Sequence, residues 1–574
     1  MTRPTTSADW SRSLLRITHP THAPASPMRR KCAESVRGVI NSWPLGALAA
    51  AARAQLEVVE LAAGGGRVAE LTIALSLASD LGTGQPVEHG LRTCWLSLAV
   101  AEALGLDERM RSCVYYVALL RFTGCTSDAS ETAVLAGGDD VGFNATMAPM
   151  LAASSGEGMR FFVRHLAEDL PLHRRVGRVA RALADPGVER RSLSGHCEVA
   201  ARLGARLGLP EEVCTALAHA YERWDGSGYP SGLAGEEVPI AIRVVAGARD
   251  AELWSRAGWD TAREVLVNRR GRAHDPAVVD ALVSGAERWL ADIGDDPNAA
   301  VLDAEPAPAR IIDADELDAA LGAVADFADL KSPYFRSHSG GVAVLAANAA
   351  RAAGLADENA TTLGRAGLVH DVGRVGVASG IWDHPGPLSV DQWERVRLHP
   401  YLSERVLRRC SLLRPFAEFA ACHHERVDGT GYHRAIGGEQ LPLAARLLAA
   451  ADAYHAMCEE RPHRPPLTRA EAAAQLQDEV DAGRFRAPEV DAVLAAAGQA
   501  SRPPQVPRPA GLTEREVDVL RLIARGMVNK EMAARLGISA KTVGHHIEHI
   551  YAKAGVTTRA GATLFAMEHN LLAG

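Results

Sequence analysis

The sequence has few aromatic residues (5%) and only nine cysteines, which are scattered along 574 residues without a CxxC pair. An odd, unpaired set of cysteines argues against a disulfide-stapled secreted scaffold and favours a reducing compartment. No apolar run is long enough to cross a bilayer, because the best candidate, residues 43–52, is short and runs into Arg53. The N-terminus also lacks the order of segments that a signal peptide requires. We therefore expect a cytoplasmic protein without a membrane partner.

The balance of charge and apolar residues indicates a helical protein of several domains. Lys and Arg number 62 and Asp and Glu 70, and the net charge of −8 excludes a chain coated in nucleic acid but permits one small DNA-binding module. Apolar residues make up 47% and recur at helical spacing, which favours an all-α fold. We predict a partly disordered segment 1–65, helical domains 66–295 and 311–498, linkers 296–310 and 499–510, and a compact module 511–574.

The two large domains are copies of one another. His89 precedes Arg121 by 32 residues, as His338 precedes His370. His196 precedes Ala220 by 24 residues and Arg249 by 53, and the same spacings lead from His399 to His423 and to Asp452. One insertion, within residues 127–190, accounts for the large difference in length. The pattern predicts an internal duplication, called below the first copy (66–295) and the second copy (311–498).

Metal-binding side chains are concentrated in the second copy. Histidine and carboxylate together suit first-row transition metals, and seven such side chains are too many for one tetrahedral ion. Two ions that share a bridging carboxylate use that many ligands and can activate water against a phosphoester. The seven residues are His338, His370, Asp371, His399, His423, His424 and Asp452.

The first copy lacks most of this array. Arg121-Phe122 stands where the second copy has His370-Asp371, Ala220-Tyr221 stands where it has His423-His424, and Arg249 stands where it has Asp452. Only His89 and His196 remain, and we expect them to be structural histidines. A copy without ligands is predicted to be a packing partner, a dimerisation surface or a sensor.

The second copy resembles the HD-GYP phosphodiesterases, a branch of the helical HD phosphohydrolases. The resemblance covers residues 311–498 and rests on DLKSPYFRSHS (329–339), GLVHDVGRVGV (367–377), LHP (398–400), HHERVDGTGY (423–432), ARLLAAADAYHAM (445–457) and RPHR (461–464). It implies that His338, His370, Asp371 and Asp452 hold a first metal ion. It implies that His399, His423 and His424 hold a second, with Asp371 bridging.

The resemblance also suggests which residues contact substrate. Arg461 and Arg464 match positions that hold substrate phosphates, and Tyr432 would lie beside a base or phosphate. In some members a Glu binds a third metal ion, but Tyr334 stands at that position here. Two ions are therefore expected, with iron or manganese favoured. Arg374 stands where the family has a Lys after HDxG, and His433 stands where it has the closing Pro of the GYP signature. We take Asp371 and Arg374 as the catalytic residues. These two departures bear on recognition of cyclic di-GMP more than on metal binding.

The C-terminal segment 512–572 resembles the LuxR-type helix-turn-helix. Thr513 and Glu516 form a capping box, residues 529–536 read as the scaffold helix, and Ser539 caps a recognition helix over 540–554. The module carries eight Lys and Arg against six Asp and Glu, a modest charge that favours dimeric binding to two half-sites. In the family the last helix, here about 559–571, makes the homodimer. The predicted DNA contacts are Lys541, Thr542, His545, His546, Lys553 and Arg559.

We therefore interpret the chain as a transcriptional regulator with two tandem HD-type domains and a four-helix DNA-binding module. Its second copy is expected to hydrolyse or sense a phosphate-containing nucleotide, with cyclic di-GMP as one candidate. Two alternatives remain open at this point. The chain could be a metal- or nucleotide-binding switch without turnover, or a plain phosphohydrolase that its DNA-binding tail localises. A helical protein-interaction module without a DNA target is the alternative for residues 511–574.

Overall fold

The computed structural model describes residues 66–153, 155–166, 187–499 and 509–572, with single positions 173, 177 and 179 between them. The predicted disorder of 1–65 and most of the predicted linker 499–510 lie outside the described residues. The regular elements of the described residues are helices except for one pair of two-residue strands, so the all-α prediction is confirmed. None of these helices is both long and apolar enough to cross a membrane.

The first copy begins with strand β1 and contains eleven described helices, of which three lie in the insertion. Helices α4, α5 and α6 form this insertion, and the others form the helical body. The elements are β1 Gly66–Arg67, α1 Val68–Gly82, α2 His89–Ala103, α3 Glu108–Leu120, α4 Ala129–Ala136, α5 Asp140–Met147, α6 Ser155–His165, α7 Val188–Arg206, α8 Glu211–Leu217, α9 Ile240–Ser255, α10 Trp259–Arg269 and α11 Pro276–Asp292.

The second copy repeats this order. Helix α14 has the same length as α2, and each starts at a histidine that follows a left-handed residue, Ser337 (φ 67°) or Glu88 (φ 73°). This shared backbone detail agrees with the predicted duplication. The elements after the first copy are α12 Pro297–Asp303, β2 Ile311–Ile312, α13 Ala314–Asp329, α14 His338–Ala352, α15 Asp357–Val369, α16 Ser379–Trp382, α17 Val390–Arg397, α18 His399–Leu407, α19 Ala417–Cys422, α20 Leu443–Met457, α21 Arg469–Asp481 and α22 Ala487–Gln499.

The two copies share a continuous hydrophobic core rather than forming separate globules. Strands β1 and β2 pair antiparallel, with Gly66 opposite Ile312, and so tie together the starts of the two copies. A buried ion pair of 2.6 Å joins Lys331 of the second copy to Asp140 of the insertion. The predicted linker 296–310 contains helix α12, whose Val301 is fully buried. The linker is therefore part of the packed body, because the side chain of Val301 is buried in the core shared by the two copies.

The C-terminal module has the predicted helices: α23 Glu514–Ala524, α24 Asn529–Leu536, α25 Ala540–Ala554 and α26 Arg559–Glu568. The capping box of Thr513 and Glu516 is present, and Ser539 accepts a hydrogen bond from the Thr542 amide, so both predicted N-caps are confirmed. Gly537 adopts φ 66° at the turn, a conformation that glycine reaches without strain. Val543 and Ile550 are fully buried, and Ile547, at helical spacing between them, is partly buried against the same core.

The last helix of this module packs against helix α7 of the first copy. Seven consecutive residues, 561–567, are buried, although an exposed helix would keep one face in water. Leu564 and Met567 belong to the core of the two copies rather than to the core of the module. Polar contacts frame this apolar contact, because Glu198 accepts a hydrogen bond of 2.9 Å from the Thr557 amide and Arg202 donates to the Ala554 carbonyl at 3.1 Å.

Candidate metal centre

Three histidines of the second copy are oriented by the same local device. The Nδ1 of His370 donates to the carbonyl of Gly367 at 2.7 Å, that of His399 to Val396 at 2.6 Å, and that of His423 to Ala420 at 2.5 Å. Each carbonyl lies three residues earlier in the chain, in the last turn of a helix. This bond fixes the ring tautomer and leaves the Nε2 lone pair of each histidine free to bind a metal ion.

Asp371 occupies the centre of this arrangement. It is 1% exposed and follows helix α15 at the start of a 3-10 turn, Val372–Gly376. The turn lies directly against helix α18, and a Cβ on Gly373 would come within 2.2 Å of the Ser403 amide nitrogen. Only glycine permits this approach, which explains the HDxG spacing and brings the aspartate beside His399.

The two oxygens of Asp371 face two different sets of histidines. Its Oδ1 is 3.3 Å from the Nε2 of His399 and 3.4 Å from that of His423. Its Oδ2 is 2.9 Å from the Nε2 of His370 and 3.6 Å from that of His338. A carboxylate between two clusters of imidazole nitrogens is the geometry that a ligand shared by two ions requires.

The remaining two members of the array complete these sets. Asp452 Oδ1 lies 3.1 Å from His338 Nε2 and 3.9 Å from His370 Nε2, and its Oδ2 lies 3.9 Å from His424 Nδ1. The ligand atoms of His338, His370 and Asp452 lie within 4.8 Å of one another, as do those of His399, His423 and His424. The structure thus brings all seven predicted ligands together, while their role as ligands stays a prediction.

The donor atoms fit divalent ions. Two ligands that are each about 2.1 Å from one ion lie about 3.0 to 3.4 Å apart at ordinary coordination angles. The observed separations include this range. Both carboxylate oxygens of Asp371 and the Nε2 of His370 are buried without a hydrogen bond of acceptable geometry among the described residues. Buried polar atoms normally have hydrogen-bond partners, so these three atoms are available as metal ligands, although Arg374 also forms an ion pair with Asp371.

The electrostatics of the two histidine sets differ. Burial and the neighbouring His423 lower the pKa of His399 to about 3, and burial together with His423 and His399 holds the pKa of His424 well below its usual value. These rings are neutral near pH 7, the form that binds a metal. Burial raises the pKa of Asp371, but Arg374 and His370 outweigh that effect and hold it well below the usual range. The centre therefore presents an ionised carboxylate beside the neutral rings of His399 and His424.

Glu459 is a functional candidate that sequence reasoning missed. Its Oε2 accepts a hydrogen bond of 2.8 Å from the Nδ1 of His338, on the side away from Asp452. Burial opposes protonation of His338, but Glu459 and Asp452 raise its pKa to about 9. A carboxylate behind a ligating histidine orients the ring and increases its basicity. The spacing of Asp452, His455 and Glu459 places them on one side of the chain over two helical turns, which was an available signal.

Arg374 lies at the rim of the centre. Its guanidinium forms an ion pair with Asp371 and stacks on the Phe335 ring at 4.0 Å. It is 5% exposed, and its Nε and Nη1 lack hydrogen-bond partners among the described residues. Phe335, which sequence reasoning did not single out, also contacts the guanidinium of Arg461 at 5.2 Å. One aromatic ring therefore supports the guanidinium groups of both Arg374 and Arg461.

The arginines at 461 and 464 are engaged differently. Arg461 pairs with Glu459 at 2.8 Å and also donates to the carbonyl of Tyr334. Arg464 donates to main-chain carbonyls around the end of helix α20, including that of Met457 at 3.0 Å. The guanidinium of Arg464 thus stabilises the chain turn that follows helix α20. Substrate contact by either residue stays a prediction.

Tyr432 and His433 form the wall beside the second histidine set. The Tyr432 ring stacks on His424, with centroids 4.8 Å apart, so it lies beside the centre, and its contact with substrate stays a prediction. His433 packs edge-on against Tyr401 and lies 3.8 Å from Glu404. Burial and the adjacent Arg434 lower its pKa, so it adds a neutral ring to the wall where the family has a proline.

In the first copy the two remaining histidines pair with carboxylates. His89 contacts Glu252, and His196 lies 2.7 Å from Asp128. Both rings are buried, as expected for structural histidines. Around them, Arg121 and Arg249 are buried where the second copy has His370 and Asp452.

The predicted DNA contacts divide into two groups. Lys541, Thr542 and His545 are exposed at the start of helix α25, and His546 is half-buried there. Lys553 instead pairs with Glu516 at 2.7 Å, and Arg559 donates to the Met527 carbonyl at 2.9 Å within the module. The first group is accessible to a major groove, and all six contacts stay predictions.

Comparison with known proteins supports both parts of this description. The HD domain pattern matches residues 186–276 and 322–486, in both copies, and the pattern of bacterial regulatory proteins of the luxR family matches residues 510–566. The chain is 29% identical over 417 residues to the 3'3'-cGAMP-specific phosphodiesterase 3 of Vibrio cholerae. The aligned residues cover 72% of this chain and 90% of that protein.

Two further comparisons extend this result. A cyclic di-GMP phosphodiesterase of Pseudomonas aeruginosa is 35% identical over 146 residues, which is 25% of this chain and 35% of that one. The crystal structure of a cyclic GMP-AMP specific phosphodiesterase of V. cholerae superimposes with a TM-score of 0.54 at 25% identity, covering 77% of this chain and 99% of that one.

Proposed function

Since the chain joins HD domains of the metal-dependent phosphohydrolase type to a luxR-family regulatory domain, we propose that its second copy holds two divalent metal ions and hydrolyses a phosphodiester of a small nucleotide. The observation that carries the proposal is the position of Asp371, whose oxygens face separate histidine sets at 2.9 to 3.6 Å. Histidine and carboxylate ligation suits iron or manganese.

The residues around the centre have distinct parts in such a reaction. Bound divalent ions supply a nucleophilic water of lowered pKa and positive charge beside the phosphoryl oxygens. Asp371 would hold both ions, and the neutral rings of His399 and His424 would bind without first losing a proton. The free Nε and Nη1 of Arg374 can donate to a phosphoryl oxygen at the rim, where the stacked Phe335 ring holds the guanidinium.

A cyclic dinucleotide is the substrate class that we favour. The named activities of the relatives are directed at 3'3'-cGAMP or cyclic di-GMP, and the alignment with the first of these relatives extends over nine tenths of its length. Tyr432 offers a flat ring beside the centre, and Arg461 adds a guanidinium that Phe335 supports. His433 in place of proline alters this wall, so the preference among cyclic dinucleotides is expected to differ from that of GYP enzymes.

The test uses the full-length protein loaded with Mn²⁺ or Fe²⁺. It is incubated with 3'3'-cGAMP, with cyclic di-GMP and with the monoester p-nitrophenyl phosphate, and the products are separated by chromatography. We expect a linear dinucleotide product that disappears in Asp371→Ala and persists in His196→Gln, a control change in the first copy. Saturable nucleotide binding without any product would instead support the non-catalytic switch.

We further propose that the C-terminal module binds DNA as a homodimer and regulates transcription. Lys541, Thr542 and His545 are exposed at the start of α25, where recognition helices of this type meet base edges. Selection of bound fragments from genomic DNA should yield a site that Lys541→Ala binds more weakly. If Lys541→Ala abolishes binding without changing any transcript, the module only localises the phosphohydrolase.

A further inference from the structure

The first copy has lost the metal ligands but has kept a strongly charged cluster in their place. Arg121 occupies the position of His370 and Arg249 that of Asp452, and they are 7% and 3% exposed. Their guanidinium carbons lie 5.4 Å and 6.0 Å from the centroid of the same Phe122 ring. The duplication has thus replaced a ligand set for cations with two buried cations.

The cluster has too few carboxylates for its guanidinium groups. Asp250 pairs with Arg249 at 2.8 Å and also with Arg269, and it lies 2.7 Å from His274. Arg121 has no carboxylate within ion-pair distance among the described residues, and its Nε and Nη1 lack hydrogen-bond partners there. The Asp128 carboxylate is already hydrogen-bonded to His196 and Ser192. Buried charges are normally paired, so a bound anion would compensate this excess of positive charge.

The surroundings of the cluster are polar and are covered by the insertion. The Tyr221 hydroxyl lies 3.4 Å from His196 Nδ1, and the guanidinium of Arg121 lies 5.6 Å from the Tyr221 ring. From the insertion, the carbonyl of Ala148 accepts from Arg249 at 2.5 Å and that of Pro149 from Arg269 at 2.9 Å. These neutral carbonyl oxygens carry only partial negative charges. A phosphate carries full negative charges and would form stronger hydrogen bonds with the same guanidinium groups.

We propose that the first copy is a metal-independent binding site for the phosphate group of a small molecule, with Arg121 and Arg249 as its anchors. Guanidinium groups bind phosphate oxygens through paired N–H donors, so they can provide the positive charge that metal ions provide in the second copy. Among the described residues of the first copy, no set of side chains could hold a metal ion to activate water, so we expect this site to bind without hydrolysis. This site is independent of the proposed hydrolysis, since it uses no residue of the second copy.

The site is tested in the full-length chain carrying Asp371→Ala, which removes the bridging ligand of the second copy. Equilibrium dialysis with radiolabelled inorganic phosphate should reveal one saturable site per chain. We expect Arg121→Met to weaken phosphate binding at least tenfold and Arg461→Gln, the control in the second copy, to leave it unchanged. Loss of binding in Arg461→Gln with retention in Arg121→Met would overturn the proposal, as would the absence of saturable binding.

A second measurement addresses the folding of the variant. In phosphate-free buffer, Arg121→Met should unfold at the same temperature as its parent or higher, because it removes an unpaired buried charge. Added phosphate should raise the unfolding temperature of the parent and leave that of the variant unchanged. A variant that unfolds at a lower temperature without phosphate would show that Arg121 is already compensated, and the proposal would fail.

Discussion

Replacing Glu198 by Ala should release the C-terminal module from the first copy. Glu198 accepts hydrogen bonds from the Thr557 amide at 2.9 Å, the Thr557 hydroxyl at 3.1 Å and the Thr558 hydroxyl at 2.6 Å. A hydrogen bond to a charged group contributes about 1.5 to 3 kcal/mol. These three share one carboxylate and border solvent, so we expect a combined loss of about 2 to 3 kcal/mol rather than their sum. That loss shifts the docking equilibrium about 30- to 150-fold.

The release can be followed by hydrogen exchange and small-angle scattering. The Thr557 amide should exchange faster in Glu198→Ala, and the radius of gyration should increase. Glu264→Ala is the matched control, because Glu264 is an exposed helical glutamate of the same copy, far from the module in sequence. Equal exchange at Thr557 in the two variants would refute the reasoning, since the docking contact would then not depend on this carboxylate.

The docked arrangement has a consequence for dimer formation. Leu564 and Met567 lie in the last helix, which is predicted to form the homodimer, yet both are buried against the two HD copies. A dimer through this helix requires undocking, so Glu198→Ala should strengthen dimerisation by at most the factor by which it weakens docking. Sedimentation equilibrium measures this directly. Faster exchange at Thr557 with unchanged dimerisation would show that the dimer uses another surface.

Three further predictions concern the second copy and its border. Glu459→Gln should lower metal affinity about 10- to 100-fold, measured by competition with a chelator, because His338 loses the carboxylate that orients it; unchanged affinity would remove Glu459 from the site. Arg374→Ala should lower kcat about 100-fold with the metal content unchanged, as expected for loss of one donor to the phosphoryl oxygens; a parallel loss of metal would mean that Arg374 mainly holds Asp371. Burial raises the pKa of Asp326 to about 6, although Arg206 pairs with it. The stabilising contribution of its protonated form is complete below the unfolded pKa of about 3.9 and is lost as the pH rises through about 6. Wild type should therefore lose about 2 kcal/mol of stability relative to Asp326→Asn between about pH 4 and pH 7, and parallel denaturation midpoints across that range would contradict this.

Much of the architecture could be predicted because it depends on local patterns. Helix α25 has the predicted limits 540–554, since Ser539 caps its start and Gly555 adopts φ 60° at its end. The duplication was visible from spacing alone, because each copy places its residues on equivalent helices. The grouping of the seven predicted ligands in one centre was implied by the resemblance to the HD-GYP phosphodiesterases.

The features that escaped prediction depend on contacts between distant segments. Glu459, which follows helix α20, acquires its role only through its contact with His338, and Phe335, which precedes helix α14, only through its contact with Arg374. Arg559 has the charge of a phosphate contact but binds the Met527 carbonyl inside the module. Docking of the last helix on α7 joins residues about 360 positions apart, and composition does not reveal such a pairing.

The account depends most directly on two metal ions being bound in the second copy. Metal content per chain, measured by plasma mass spectrometry after loading with Mn²⁺ or Fe²⁺ and removal of free ions, tests this claim. We predict about two ions per chain in wild type and in His196→Gln, and fewer than one in Asp371→Ala, since that aspartate is the shared ligand. One ion or none in wild type, or an undiminished content in Asp371→Ala, would contradict a dinuclear centre bridged by Asp371.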